Sequence, residues 1–365
     1  MPKLESISLS GFKSIAQLES FPLGDVNILI GANGAGKSNF IDLFRMLAAI
    51  GSGGFQNYVL ESGADTLFHH GPKSTPEIST RLDFGDNSYA FTLAPAAEEK
   101  VYFKKESVRF KETWKEIGSA NLEPSLYTKR NEAGHYTRKG VNGYVLDAIS
   151  TWKIYHFHDT SRLAPMRRKA HIDRDWPALE SDAGNLAPFL WRLKRKNLVH
   201  YSALVKIIQR IAPYFEDFVF QPEFDPGANN FSLSWKQKGS SQRMNAQQFS
   251  DGTLRFICLA TALLQPNPPA TLILDEPELG LHPGALSLLS GLIETAASRM
   301  QLVVATQSPV FLSDFAPKDI ITVDQVNGAS TFKRLDENSL QNWLEEYSLG
   351  DIWQKGIISG GIDHA

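Results

Sequence analysis

Cysteine is nearly absent. Cys258 stands alone in 365 residues, which excludes a disulfide framework and leads us to expect a reducing, cytoplasmic setting. An excess of one charge is missing as well. Lysine and arginine number 37 against 40 aspartates and glutamates, a formal net charge of −3. That excludes a general polyanion-binding surface and leaves room only for a local one. No apolar run approaches the roughly 18 residues of a membrane-spanning helix. The start, Met1-Pro2-Lys3-Leu4-Glu5, lacks the apolar core of a signal peptide. Internal repeats and low-complexity tracts are lacking too. What remains is an ordinary globular composition, 42% hydrophobic and 21% charged, in a chain long enough for two or three lobes.

What is present centres on Gly31 to Ser38, GANGAGKS. It fits G-x-x-x-x-G-K-[ST], a phosphate-binding loop. Val26 to Ile30 before it is a short apolar run suited to a buried strand, and Asn39 to Leu47 after it carries apolar residues at helical spacing. Strand, glycine-rich turn and helix are the context this motif requires. Gly31, Gly34 and Gly36 let backbone N–H groups curl around a triphosphate. The helix beginning near Lys37 adds its positive dipole end. Lys37 is expected to reach the β- and γ-phosphates of ATP, and Ser38 to ligate Mg²⁺.

The rest of the chain supplies a mixed set of elements. Leu4 to Leu9 alternates as a strand does, and Ile78–Phe84, Tyr89–Leu93 and Val101–Phe103 suggest an antiparallel sheet. Residues 111–145 are polar and glycine-containing and read as an irregular excursion or hairpin. Residues 185–196, 202–211, 252–264 and 286–297 read as helices. Residues 271–274, 302–306 and 320–323 read as buried strands.

Thr271 to Glu278, TLILDEPE, is an apolar strand that ends in two carboxylates. Asp275 would hold Mg²⁺ opposite Ser38, and Glu276 would orient the attacking water. Gln248 to Thr253 precedes a helix, so Ser250 and Gly252 offer either a second anion site or an ordinary N-cap.

In this order the stretches resemble an ABC-type ATPase head: GANGAGKSN, FSDGT, LILDEPELGLHP, then VVATQSP. The chain is similar to the RecF, SMC and OLD-related branch of prokaryotic AAA-family ATPases. The resemblance implies an α/β fold: a P-loop ABC-type head with a mixed sheet, an N-terminal antiparallel β subdomain and an inserted helical lobe. It implies a core at 1–145 and 248–335, a lobe at 146–247 and a C-terminal helix and tail at 336–365. Asn33, Gly34, Ala35, Gly36 and Asn39 join Gly31, Lys37 and Ser38 in the Walker A loop. Asp275 and Glu276 are the Walker B pair, and Lys13, in Phe12-Lys13-Ser14, belongs to a loop near the nucleotide. FSDGT resembles the signature that completes the site across a homodimer, and Leu281-His282-Pro283 resembles the D-loop at that interface. Residues 155–161, 181–187 and 344–350 resemble a subgroup known only as AAA-family ATPases, and for the last of these no physical role is evident.

Three departures qualify the resemblance. Leu186, Leu190, Leu193, Leu198, Leu204 and Ile208 give only short helical spacing, so the long coiled coil of SMC relatives is not expected. Too few residues follow Val323 for the nuclease domain of the OLD family. Gln307 stands where the switch histidine is usual, and an amide can hydrogen-bond a γ-phosphate but cannot become cationic. That change bears on turnover more than on binding. His69-His70 and His156, His158 with Asp159 lack a matching cysteine set and read better as structural than as metal ligands. A basic stretch, including Arg162, Arg167, Arg168, Lys169, Arg174, Arg192 and Lys194 to Lys196, is either a DNA or RNA backbone contact or a solvated helical face. The reading is an ATPase that dimerises on ATP and gates a separate effector or nuclease, in anti-phage defence. The alternatives are a DNA-repair ATPase acting directly on DNA and, more weakly, a transporter subunit.

Overall fold

The computed structural model describes residues 2–128, 140–168, 170–171, 178–220 and 230–358. Packing separates two compact units. The first comprises 1–154, 269–275 and 300–365, and the second 155–268 and 276–299.

The first unit opens with β1 (Ser6–Phe12), β2 (Ile15–Pro22) and β3 (Val26–Ile30). The phosphate loop leads from β3 into α1 (Lys37–Ser52), and α2 (Phe55–Ser62) follows. Then come β4 (Ile78–Phe84), β5 (Asn87–Pro95), β6 (Val101–Phe110) and β7 (Thr113–Gly118). These build a six-stranded sheet in the order β2-β1-β4-β5-β6-β7, antiparallel at each pairing. Ile7, Leu9, Ile78, Leu82, Tyr89 and Phe91 are buried with Phe40, Phe44 and Leu47 of α1 in one core. That core also holds a buried carboxylate. Glu106 accepts hydrogen bonds from the Tyr89 hydroxyl at 2.7 Å and from the Ser125 and Leu126 amides at 2.6 and 2.9 Å. Burial and Glu106 together push the Tyr89 hydroxyl well above its ordinary pKa.

Residues 111–145 are more regular than expected. Thr113–Gly118 pairs with β6 as the sheet's last strand, and α3 (Val141–Ile149) packs against α1. Gly134, within the expected excursion, lies outside the described residues. Strand β8 (Lys153–Tyr155) closes this stretch.

The second unit contains α4 (Leu186–Lys196), α5 (Leu198–Ile211), the strands β9 (Phe215–Val219), β10 (Ser234–Gln237) and β11 (Arg243–Asn245), and α6 (Asp251–Leu264). Its core is aromatic. Phe215, Phe218, Phe220, Trp235 and Phe249 are each no more than 3% exposed. No described helix is long and apolar enough to cross a membrane.

The chain returns to the first unit with β12 (Thr271–Asp275), adds α7 (Pro283–Ala297) to the second, and ends in the first. The closing elements are β13 (Gln301–Thr306), α8 (Pro309–Leu312), β14 (Ile320–Val326), β15 (Ala329–Arg334), α9 (Glu337–Leu344) and α10 (Leu349–Gln354). They form a second six-stranded sheet in the order β15-β14-β3-β13-β12-β8. Strand β3 is buried along its whole length, as a strand flanked on both sides by parallel neighbours should be. By packing, α6 and α7 gather with the lobe, whereas the motif order groups residues 248–335 with the core.

Candidate active site

The phosphate loop is built by β3 and α1. Gly36, the residue before the helix, has φ +118°, and no side chain caps the helix start. The first-turn N–H groups therefore stay available to an anion. Lys37 is 6% exposed. Its ammonium donates to the carbonyls of Gly31 at 2.6 Å and Ala32 at 3.1 Å, so the charge is held within the curl of the loop. Asn33, Gly34 and Ser38 are exposed, while Ala35 is buried.

Behind the loop lies a polar latch. The Ser330 hydroxyl donates to Ala35 O at 2.6 Å. It also meets the Ser14 hydroxyl at 2.6 Å, which in turn accepts the Asn39 amide at 2.6 Å. A Cβ at Gly36 would lie 2.0 Å from Ser330 Oγ and 3.0 Å from Ser14 Oγ. The last glycine of the motif is thus required both by its backbone angle and by this contact. Ser330 escapes sequence reading: it lies 295 residues from Ala35, on an edge strand, in no motif. Lys13, expected near the nucleotide, pairs with Asp42 of α1 at 2.5 Å. Asp42 also accepts the Tyr58 hydroxyl at 2.7 Å. Burial first, then the Asp42 charge, raise the pKa of Tyr58, so this donor stays protonated.

Three adjacent parallel strands end together. Asp275 of β12 pairs with Ala305 of β13, and Thr306 of β13 pairs with Ile30 of β3. The structure thereby brings Asp275, the loop beginning at Gly31 and the segment beginning at Gln307 to one sheet edge. Carboxyl ends of parallel strands are where α/β folds bind ligands. Beyond Gln307, Ser308 donates its N–H to Thr306 Oγ1 at 3.0 Å and caps α8 by accepting the Phe311 N–H at 3.2 Å. Glu276 has φ +44°, a left-handed backbone that a non-glycine residue adopts at a cost of about 1–3 kcal/mol and that concentrates at functional sites.

The FSDGT segment is described within the second unit. Ser250 is the N-cap of α6 and accepts the Thr253 N–H at 3.2 Å. Gly252 lies so close to Gly280 that a Cβ would be 2.4 Å from its carbonyl oxygen. His282 caps α7, its Nδ1 accepting the Gly284 N–H at 3.2 Å. Ser250, Gly252, Gly280, His282 and Arg210 line one cavity of about 380 Å³. Phe249 stacks on Trp235 with ring centroids 4.6 Å apart, which anchors the segment in the lobe core.

Arg167 is 9% exposed. It donates to the carbonyls of Thr160, Ala246 and Phe249 and pairs with Asp251 at 2.7 Å. Arg255 donates in the same way to Phe157 O, His158 O and Leu279 O. Within the basic stretch Arg167 is therefore spent on structure. Lys194 pairs with Asp217 at 3.4 Å, Arg195 stacks over Trp191 at 4.8 Å, and Lys169 and Arg174 lie outside the described residues. Sequence reading missed the framing roles of Arg167 and Arg255, and no local signal separates them from surface arginines.

The sequence matches the family described as "AAA domain, putative AbiEii toxin, Type IV TA system" over residues 26–313. No curated protein matches it. Among solved structures, the SMC head bound to the C-winged helix domain of ScpA is similar at 15% identity and a TM-score of 0.62, covering 93% of this chain and 99% of that one. A Pyrococcus furiosus SMC head with an extended coiled coil, bound to the C-terminal domain of ScpA, is similar at 15% identity and a TM-score of 0.54, covering 95% and 99%. The fold is that of an SMC-type ATPase head, and with the match spanning well over half of its length the chain belongs to this AAA-domain family.

Proposed function

We propose that this ATPase binds ATP and Mg²⁺ at Gly31–Ser38, closes into a homodimer on ATP, and gates a partner effector in the cytoplasm, in anti-phage defence. The observation that carries the reading is the shared strand edge at which the uncapped helix start, Asp275 and the Gln307 segment meet. Lys37 would leave the loop carbonyls for the β- and γ-phosphates, with Asn33 to Gly36 and Asn39 shaping the loop around them. Ser38 and Asp275 fit a hard cation, since both offer oxygen and border the loop. Mg²⁺ held there would offset phosphate charge. Glu276 would take a proton from water as the water oxygen bonds to the γ-phosphorus and the bond to the β-phosphate oxygen breaks, yielding ADP and phosphate. Gln307 would hydrogen-bond the γ-phosphate. Lys13 would act at second hand, through its pairing to α1.

Ser250 and Gly252 would serve the nucleotide of a second copy. Their cavity, with the exposed Arg210 on its wall, suits an anion. The family's description, which names a putative AbiEii toxin of a Type IV TA system, fits the defence part of this reading, and an SMC head that binds ScpA offers a precedent for partner docking on this fold.

Glu276→Gln should bind ATP, stop turning over and accumulate as a dimer in light scattering at saturating ATP and Mg²⁺. A monomer at every protein concentration would sink the closure model. ATPase activity stimulated by DNA in the lone protein would instead turn the reading toward DNA repair.

A further inference from the structure

The C-terminal stretch Leu344–Gly350 has so far carried no role. In the structure it delivers α10 onto α8, the short helix that follows Gln307. The contact is closest at Gly350. A Cβ there would lie 2.1 Å from Pro309 O and 2.5 Å from Ser313 Oγ, so only glycine lets the two segments meet. Gly350 N–H donates to Ser313 Oγ at 3.2 Å. Ser313 Oγ lies 3.0 Å from Pro309 O and 3.1 Å from Ser348 Oγ. Ser348 and Asp351 cap α10 reciprocally: Ser348 Oγ accepts the Asp351 N–H at 3.2 Å, and Asp351 accepts the Ser348 N–H at 3.1 Å. Beneath lie Phe311, Leu312, Leu349 and Ile352, none more than 3% exposed.

This seat bears on the switch. Ser308 caps α8 and is tied back to Thr306 at the end of β13. Gln307 is thus suspended between a strand end fixed by the sheet and a helix start fixed by α10. We propose that Gly350 is a positioning residue for Gln307: by seating α8 on α10 it sets where the Gln307 amide points, so the C-terminal element controls turnover without touching nucleotide. The inference rests on the reading of Gln307 as the switch.

The test uses the full chain. Gly350→Ala should lower kcat by about tenfold, short of the roughly hundredfold that a 1 Å misplacement can cost. KM and the affinity for a fluorescent ATP analogue should stay within about twofold. Ser348→Ala, which weakens the seat without a clash, should act in the same direction and less. The backbone amides of 307, 308 and 310–313 should exchange faster in both. In a Gln307→Ala background Gly350→Ala should cost nothing further, because both act through one group. An equal loss in that background, or an unchanged kcat in Gly350→Ala, overturns the inference. Should Gln307→Ala itself turn over at the wild-type rate, the switch reading fails and the inference with it. Unchanged exchange at 307–313 in Gly350→Ala would instead remove the seat alone.

Discussion

At the scale of single residues, the phosphate loop is kept in shape by a hydroxyl no motif contains. Ser330 gives its proton to Ala35 O inside a buried contact. Ser330→Ala would leave that carbonyl unsatisfied, at about 1–3 kcal/mol, borne by the loop proposed to meet the phosphates. We expect ATP affinity to fall by about tenfold, since 1.4 kcal/mol is a factor of ten, with little change in kcat once ATP is bound. Equilibrium binding of a fluorescent ATP analogue checks this, and an unchanged affinity would remove Ser330 from the site. Gly36→Ala should abolish binding outright, because its Cβ would meet Ser330 Oγ at 2.0 Å. Gln307 gives the opposite kind of expectation. If its neutral amide slows hydrolysis, Gln307→His should raise the steady-state rate, and an equal or lower rate would show that it is no brake. Here the limits of sequence are plain. The strand, glycine-rich turn and helix around Lys37 and Ser38, and the strand that ends at Asp275, are legible because their patterns are local. Ser330 is not, because its meaning comes from a chain crossing hundreds of residues away.

At the scale of elements, the FSDGT segment shows how a lobe holds a helix-capping turn. Ser250 as N-cap is visible in the sequence, and so is the helix it starts. The clamp on its N-terminal side is not. Arg167 gathers the carbonyls of Ala246 and Phe249 and the carboxylate of Asp251, while Trp235 stacks on Phe249. Arg167→Ala would strand buried acceptors and should destabilise the protein by about 3 kcal/mol, read as a drop in the denaturant midpoint. Arg167→Lys should rescue little, because a point charge cannot reproduce the guanidinium fork. A loss within about 0.5 kcal/mol, the range of ordinary surface changes, would return Arg167 to the solvated-face reading. Read as a run of charge, the same arginine looks like a phosphate contact, and only its burial corrects that. Strand β7 escaped for the converse reason. Thr113 to Glu116 are all exposed, so this edge strand lacks the buried alternation by which strands are recognised.

At the scale of the whole molecule, the question is whether one chain holds a complete site. The phosphate loop, Asp275 and Gln307 share one sheet edge in the first unit, whereas Ser250 and Gly252 line a cavity described within the second. In the proposed homodimer each loop would meet the partner's cavity. The arrangement makes a prediction that no single-chain site can meet. Lys37→Ala should be inactive because its loop cannot hold the phosphates. Ser250→Arg, at an exposed position, gives up the α6 cap at about 1 kcal/mol and should be inactive because it blocks the cavity. Mixed, the two variants form heterodimers in which one loop and one cavity, both intact, face each other. With random pairing half of the dimers are mixed and each regains one site of two, so activity should return to about a quarter of the wild-type rate per protein. Sites complete within one chain would leave both partners dead and the mixture silent, whatever the dimer content by light scattering. Activity of the mixture therefore separates a dimer that shares its chemistry from one that merely associates.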